Sequence, residues 1–122
     1  MSVDSPEQLR GRTKSFAIRI VRLFRALPSS RDAQVMGTQL LRSGTSVAAN
    51  YRAACRSRSR AEFISRLGVV VEEADESLFW LELLAETGIV AQARLQDLLT
   101  EANELTSIFA ATRRTTRSGG ST

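Results

Sequence analysis

A chain of 122 residues with a net charge of +4, one cysteine and no histidine is the size of a single domain that buries its own core without disulfide or metal support. The missing histidine excludes imidazole acid–base catalysis, a Ser-His-Asp triad and imidazole metal ligation, and Cys55 alone makes neither an internal disulfide nor a zinc site. With 43% hydrophobic residues, two prolines and seven glycines, the interior is nearly free of helix breakers, which points to an all-α fold.

Cys55 reads as a buried structural thiol, and no apolar run reaches the roughly 18 residues of a membrane span. Asp4 and Glu7 precede any apolar segment, so no signal peptide is expected and the cytosol is the expected compartment. Residues 1–60 carry 12 basic against 3 acidic residues, and residues 61–122 carry 5 against 10. Such a chain either packs a basic half beside an acidic half, exposes an anion-binding face, or joins subunits head to tail.

Residues 1–12, with Pro6 and Gly11, read as a flexible lead-in that Thr13 or Ser15 could cap. Phe16, Ile20, Leu23, Phe24 and Leu27 then recur at spacings of three and four, which predicts a first helix over about 13–27 that stops before Pro28. Ser29 or Ser30 can cap a second helix over about 31–56, with Asp32 in its first turn. Its stripe of Val35, Met36, Leu40, Val47, Ala48 and Tyr51 is interrupted by Ser43, Gly44 and Thr45. Gly44 costs about 1 kcal/mol relative to alanine in a helix, so close helix packing against small side chains is the simplest reason for this segment.

Ser59 and Glu62 form a capping-box pattern at the start of a third helix over about 60–87. Phe63, Leu67, Val70, Ala74, Leu78 and Leu81 follow a core repeat, while Ile64, Val71, Phe79, Trp80 and Leu83 widen the apolar arc. A helix that wide in apolar surface is either central in its bundle or also buried against another subunit, and burial of Phe79 and Trp80 in an assembly is the expectation. Thr87-Gly88 ends the helix. A fourth helix over about 91–112, preceded by Ile89, presents Leu95, Leu98, Leu99, Leu105, Ile108 and Phe109 inward. Residues 113–122, basic and then rich in Ser and Gly, read as a disordered tail.

No phosphate loop or dinucleotide fingerprint occurs, because Gly44 and Gly68 stand alone within helical patterns. Glu72, Glu73 and Glu76 leave a carboxylate metal bridge conceivable, but the histidines of di-iron bundles are lacking; no cofactor, metal or catalytic residue is assigned, and the chain reads as a non-enzyme. Arg42, Ser46 and Asn50, at i, i+4 and i+8, line one face of the second helix. With Glu73 or Glu76 they could form a register-fixing polar network, or alternatively a ligand pocket. Arg52, Arg56, Arg58 and Arg60 are either solvated charge at a helix end or phosphate ligands. Arginine outnumbers lysine 16 to 1, which suits bidentate phosphate contacts, and Tyr51 is the sole aromatic neighbour for base stacking.

Gln39-Leu40-Leu41-Arg42-Ser43, Thr45-Ser46-Val47, Ala49-Asn50-Tyr51-Arg52, Ser59, Glu62-Phe63-Ile64, Glu72-Glu73-Ala74-Asp75-Glu76-Ser77 and Trp80-Leu81 together resemble the 23S rRNA intervening-sequence proteins. The resemblance extends from about Phe16 to Phe109. It implies an antiparallel up-down four-helix bundle assembled into a homo-oligomeric ring, typically a homopentamer, in which Arg42, Ser46, Asn50, Glu73 and Glu76 occupy characteristic polar positions. A remoter similarity, to the accessory subunit of diversity-generating retroelements, implies association with nucleic acid. The leading expectation is therefore an oligomeric bundle whose arginines hold RNA or DNA backbone. The alternatives are a protein-interaction scaffold and, third, a ligand- or metal-carboxylate-binding bundle.

Overall fold

The computed structural model describes residues 4–119, which form four helices: α1 (Pro6–Ala26), α2 (Arg31–Cys55), α3 (Arg60–Glu86) and α4 (Gln92–Arg117). No strand occurs among the described residues. Helices adjacent in sequence pack on one another, and α4 also touches α1.

The first helix begins at Pro6, not near Thr13. Ser5 Oγ accepts from the Gln8 N–H at 3.1 Å, and the Ser5 N–H donates to Gln8 Oε1 at 2.7 Å. This reciprocal cap satisfies two orphan donors, and proline at the first helical position gives up an N–H that would have had no partner. The expected flexible lead-in is thus largely helix. Arg12 fastens it, donating to Asp4, Glu101 and Glu104 at 2.7, 2.6 and 2.9 Å. The carboxylates, Glu101 foremost, hold the Arg12 pKa above its ordinary value against the cost of burial.

At the other end, α4 runs on to Arg117 instead of stopping near residue 112. Arg113 Nε donates across to the Ile64 carbonyl at 3.0 Å, and the Arg60 guanidinium donates to the Thr116 carbonyl at 2.8 and 3.1 Å. A cation on the last carbonyls suits the negative helix terminus. Of the expected disordered tail, residues 113–117 are therefore helical, and residues 120–122 lie outside those described.

Phe16, Ile20, Leu40, Val47, Leu67, Val70, Leu81, Leu84, Leu95, Leu105 and Phe109 are fully buried and form one continuous core. The Tyr51 and Phe109 rings meet at 4.8 Å with a 40° tilt. Burial, followed by the neighbouring Cys55, pushes the Tyr51 phenol up, so it stays neutral. Val35 departs from its expected place in the core stripe: it is 56% exposed, while Ala33 and Gly37 face inward. The missing side chain at Gly37 lets α1 lie close to α2.

The two glycines of α2 show how close. A β-carbon on Gly44 would stand 2.9 Å from Ile20 Cγ1 and 3.0 Å from Cγ2, and one on Gly37 would run into Leu27 and lie 3.1 Å from Phe24. Ser43 and Ser77, both fully buried, join α2 to α3 through a hydroxyl–hydroxyl bond of 3.0 Å. Gly88, with φ of +77°, lets the chain leave α3 while the Val90 N–H returns to the Leu84 carbonyl at 3.2 Å.

Candidate nucleic-acid interface

The α2–α3 connection gathers the basic side chains. No glycine ends α2; the N–H groups of Arg56 and Ser57 bond the Ala53 and Ala54 carbonyls at 3.0 Å each, which turns the chain tightly with Arg56 and Arg58 outermost. Ser59 Oγ caps α3 through the Glu62 N–H at 3.0 Å. Glu62 does not close the expected box on Ser59; its carboxylate instead accepts the Arg58 N–H at 2.9 Å and the Arg66 side chain at 3.1 Å. These bonds, that of Arg58 first, hold Glu62 below the usual carboxylate range.

Two adjoining grooves open here. One of about 680 Å³ lies between α1 and α2, with Arg10 and Lys14 on the α1 wall and Arg52 and Arg56 on the α2 wall. The second, of about 400 Å³, lies between the end of α2 and the start of α3 and is lined by Arg52, Arg56, Arg58, Glu62 and Arg66. Six cations, from α1, α2, the α2–α3 connection and α3, thus face one carboxylate, and that carboxylate is already committed to Arg58 and Arg66. The Arg10 guanidinium lies against Cys55, which raises its pKa.

Of the four sequence candidates, Arg52, Arg56 and Arg58 line these grooves, whereas Arg60 is turned away onto the Thr116 carbonyl. Arg10, Lys14 and Arg66 were missed by sequence reasoning, since they come from other helices. Their only signal was position: Arg10 and Lys14 stand four apart, on the same side of one helix.

The second group divides. Arg42 donates to Glu73 at 3.2 Å and to Glu76; Glu76 also accepts the Trp80 indole N–H at 3.1 Å. Arg42, then Trp80, hold Glu76 below the usual carboxylate range. Arg42 is 48% exposed, so the cluster lies on the surface rather than in the core, and such exposed pairs contribute about 0–1 kcal/mol. Asn50 and Ser46 do not join it: the Asn50 amide donates to the Ser46 carbonyl of its own helix at 2.9 Å. The buried polar link is Ser43–Ser77 instead. Among the described residues, no three His, Cys, Asp or Glu side chains converge as metal ligands, and no helix is long and apolar enough to cross a membrane.

Phe79 and Trp80 meet edge to face at 4.9 Å on the outer side of α3. Phe79 is 50% exposed and Val69 38% exposed. Trp80, held by Glu76, is partly buried and packs against the core, so Phe79 is the outward member of the pair.

With this geometry in view, comparison with known proteins is decisive on one point: residues 8–111 match the family described as 23S rRNA-intervening sequence protein. The chain belongs to that family. A crystal structure of a protein with unknown function from the S23 ribosomal protein family of Bacteroides thetaiotaomicron VPI-5482 is similar to this intervening-sequence family member, with a TM-score of 0.83 and 33% sequence identity. The match covers 89% of this chain and 97% of that one. No curated protein matches the sequence.

Proposed function

We propose that this family member is a non-enzymatic, oligomeric bundle that holds the phosphate backbone of RNA or DNA on Arg52, Arg56 and Arg58, joined by Arg10, Lys14 and Arg66. The observation that carries the reading is the convergence of these six cations on two connected grooves containing one neutralised carboxylate. Guanidinium groups bind phosphate in bidentate fashion and release condensed counterions on binding. The family description, which concerns 23S rRNA intervening sequences, suits an RNA setting, and a cytosolic location follows from the same reading.

Helix packing supports an up-down antiparallel arrangement. Ile20 lies by Gly44 and Phe24 by Gly37, and the start of α3 meets the end of α4 through Arg60 and Thr116. Assembly into a ring through Phe79 and Trp80 is supported by the half-exposed Phe79 ring, which lies edge to face on a Trp80 that is itself partly buried against the core. Phe79, set among Glu72, Asp75 and Glu82, also favours a second reading, a protein-interaction scaffold recognising a separate partner.

Fluorescence anisotropy with a labelled RNA that has both paired and unpaired segments separates the two readings. Binding should weaken steeply with salt, and Arg52→Gln/Arg56→Gln/Arg58→Gln should flatten the dependence of log K on log salt by about 2–3. No binding at low salt, or an unchanged slope in the triple variant, overturns the nucleic-acid reading; a protein partner whose capture survives nuclease then supports the scaffold.

A further inference from the structure

We infer that the grooves on either side of the Arg52–Arg56 ridge are a track for a single unpaired strand of nucleic acid, not a seat for a duplex. This rests on the nucleic-acid reading and specifies its substrate.

The placement of the cations argues for it. Arg52 in the last turn of α2 and Arg56 at its C-cap stand four apart and line both grooves. A chain lying in the α1–α2 groove can therefore pass over this ridge into the α2–α3 groove without leaving positive charge. Arg10 and Lys14 lie on the far wall of the first groove, across a floor that includes Ala48 and Ala49. A strand lying in the groove meets both walls at once. A duplex, as a wide convex cylinder, rests on the ridge and the α2–α3 turn and leaves the far wall unused. Site volumes of about 680 and 400 Å³ fit a few nucleotides of one strand.

The floor also says how the strand is held. Alanine and threonine side chains give no ring on which bases stack, and Tyr51, the nearest aromatic, is buried against Phe109. Binding is therefore led by the phosphodiester backbone with little preference for base sequence.

The test uses the assembled wild-type protein, a labelled single-stranded oligonucleotide without self-pairing, and a blunt hairpin duplex of matching charge. The single strand should bind about tenfold more tightly at equal salt. Arg10→Gln/Lys14→Gln, at two exposed positions that leave the core intact, should lower the salt slope for the single strand by about 1.4, twice the ~0.7 expected per contact. The same variant should lower the salt slope for the duplex by clearly less than it does for the single strand. Cys55, the only cysteine of the chain, is only partly buried, against the expectation of a buried thiol, and lines the groove, so it supplies a second readout: its alkylation by iodoacetamide should slow several-fold with the single strand bound and keep its rate with the duplex. Duplex binding as tight as the single strand's, an equal effect of the variant on both, or an unprotected Cys55 overturns the strand inference while leaving the basic surface as the binding site. Failure of both probes to bind overturns the underlying reading as well.

Discussion

Gly44 is the place where helix propensity and packing pull in opposite directions, and Gly44→Ala measures which prevails. Alanine gains about 1 kcal/mol of helix propensity over glycine. Its β-carbon, however, would meet Ile20 Cγ1 and Cγ2 at 2.9 and 3.0 Å. Those atoms sit on a β-branched carbon with little rotamer freedom in a helix, so α1 must move away from α2, and overpacking of this kind costs about 1–3 kcal/mol. The net expectation is a loss of up to about 2 kcal/mol. Ile20→Ala removes both obstructing carbons at a cost of about 2–5 kcal/mol. In that background Gly44→Ala should become stabilising by about 1 kcal/mol, which gives a coupling energy of about 1–3 kcal/mol. Urea unfolding at fixed protomer concentration, followed by circular dichroism, supplies all four corners of the cycle. If Gly44→Ala stabilises the wild type and the Ile20→Ala variant by the same amount, the close α1–α2 approach that shapes the first groove is refuted.

Three further outcomes follow from the surface clusters. Glu76 is held below the usual carboxylate pKa by Arg42 and then Trp80, so its stabilising contribution is complete above its ordinary value of 4.5 and is lost as pH falls through the lower folded value. Trp80 emission should titrate in that acid range, and Glu76→Gln should abolish the transition; an unaltered transition would refute the assignment. Arg60→Gln should change nucleic-acid affinity by less than about twofold, because Arg60 already serves the Thr116 carbonyl, while speeding amide exchange in the last turn of α4. A loss comparable to that of Arg56→Gln would place Arg60 in the interface. Phe79→Arg, at a half-exposed position, should keep the helical spectrum and reduce the mass measured by light scattering to that of a protomer; an unchanged mass excludes Phe79 from the assembly contact.

The sequence disclosed the helices more readily than the site. Pro28, the Ser59 cap and Thr87-Gly88 mark real boundaries, because each acts through local backbone chemistry that needs no partner. The same logic failed at the first helix: Ser5 and Gln8 form a capping pair, but Pro6 and Gly11 read as breakers, although proline is favourable at a first helical position. The extension of α4 was hidden for a different reason. Arg113 and Arg117 look like tail charge until the Ile64 carbonyl, far away in sequence, is seen to receive Arg113. Small residues around Gly44 pointed correctly to close packing, yet nothing in the pattern named Ile20 as the neighbour. Arginine density singled out Arg52, Arg56 and Arg58 but also Arg60, since density along the chain cannot tell a side chain facing a groove from one capping another helix. Arg10, Lys14 and Arg66 belong to the surface only through tertiary packing, which brings three helices to one end.

Native mass spectrometry of the protein purified without nuclease tests the central claim most directly. The account predicts an assembly of several protomers that carries nucleic acid at low salt, releases it at high salt, and emerges bare when Arg52, Arg56 and Arg58 are all glutamine. A protein free of nucleic acid under every condition, or equal retention by wild type and triple variant, would contradict it.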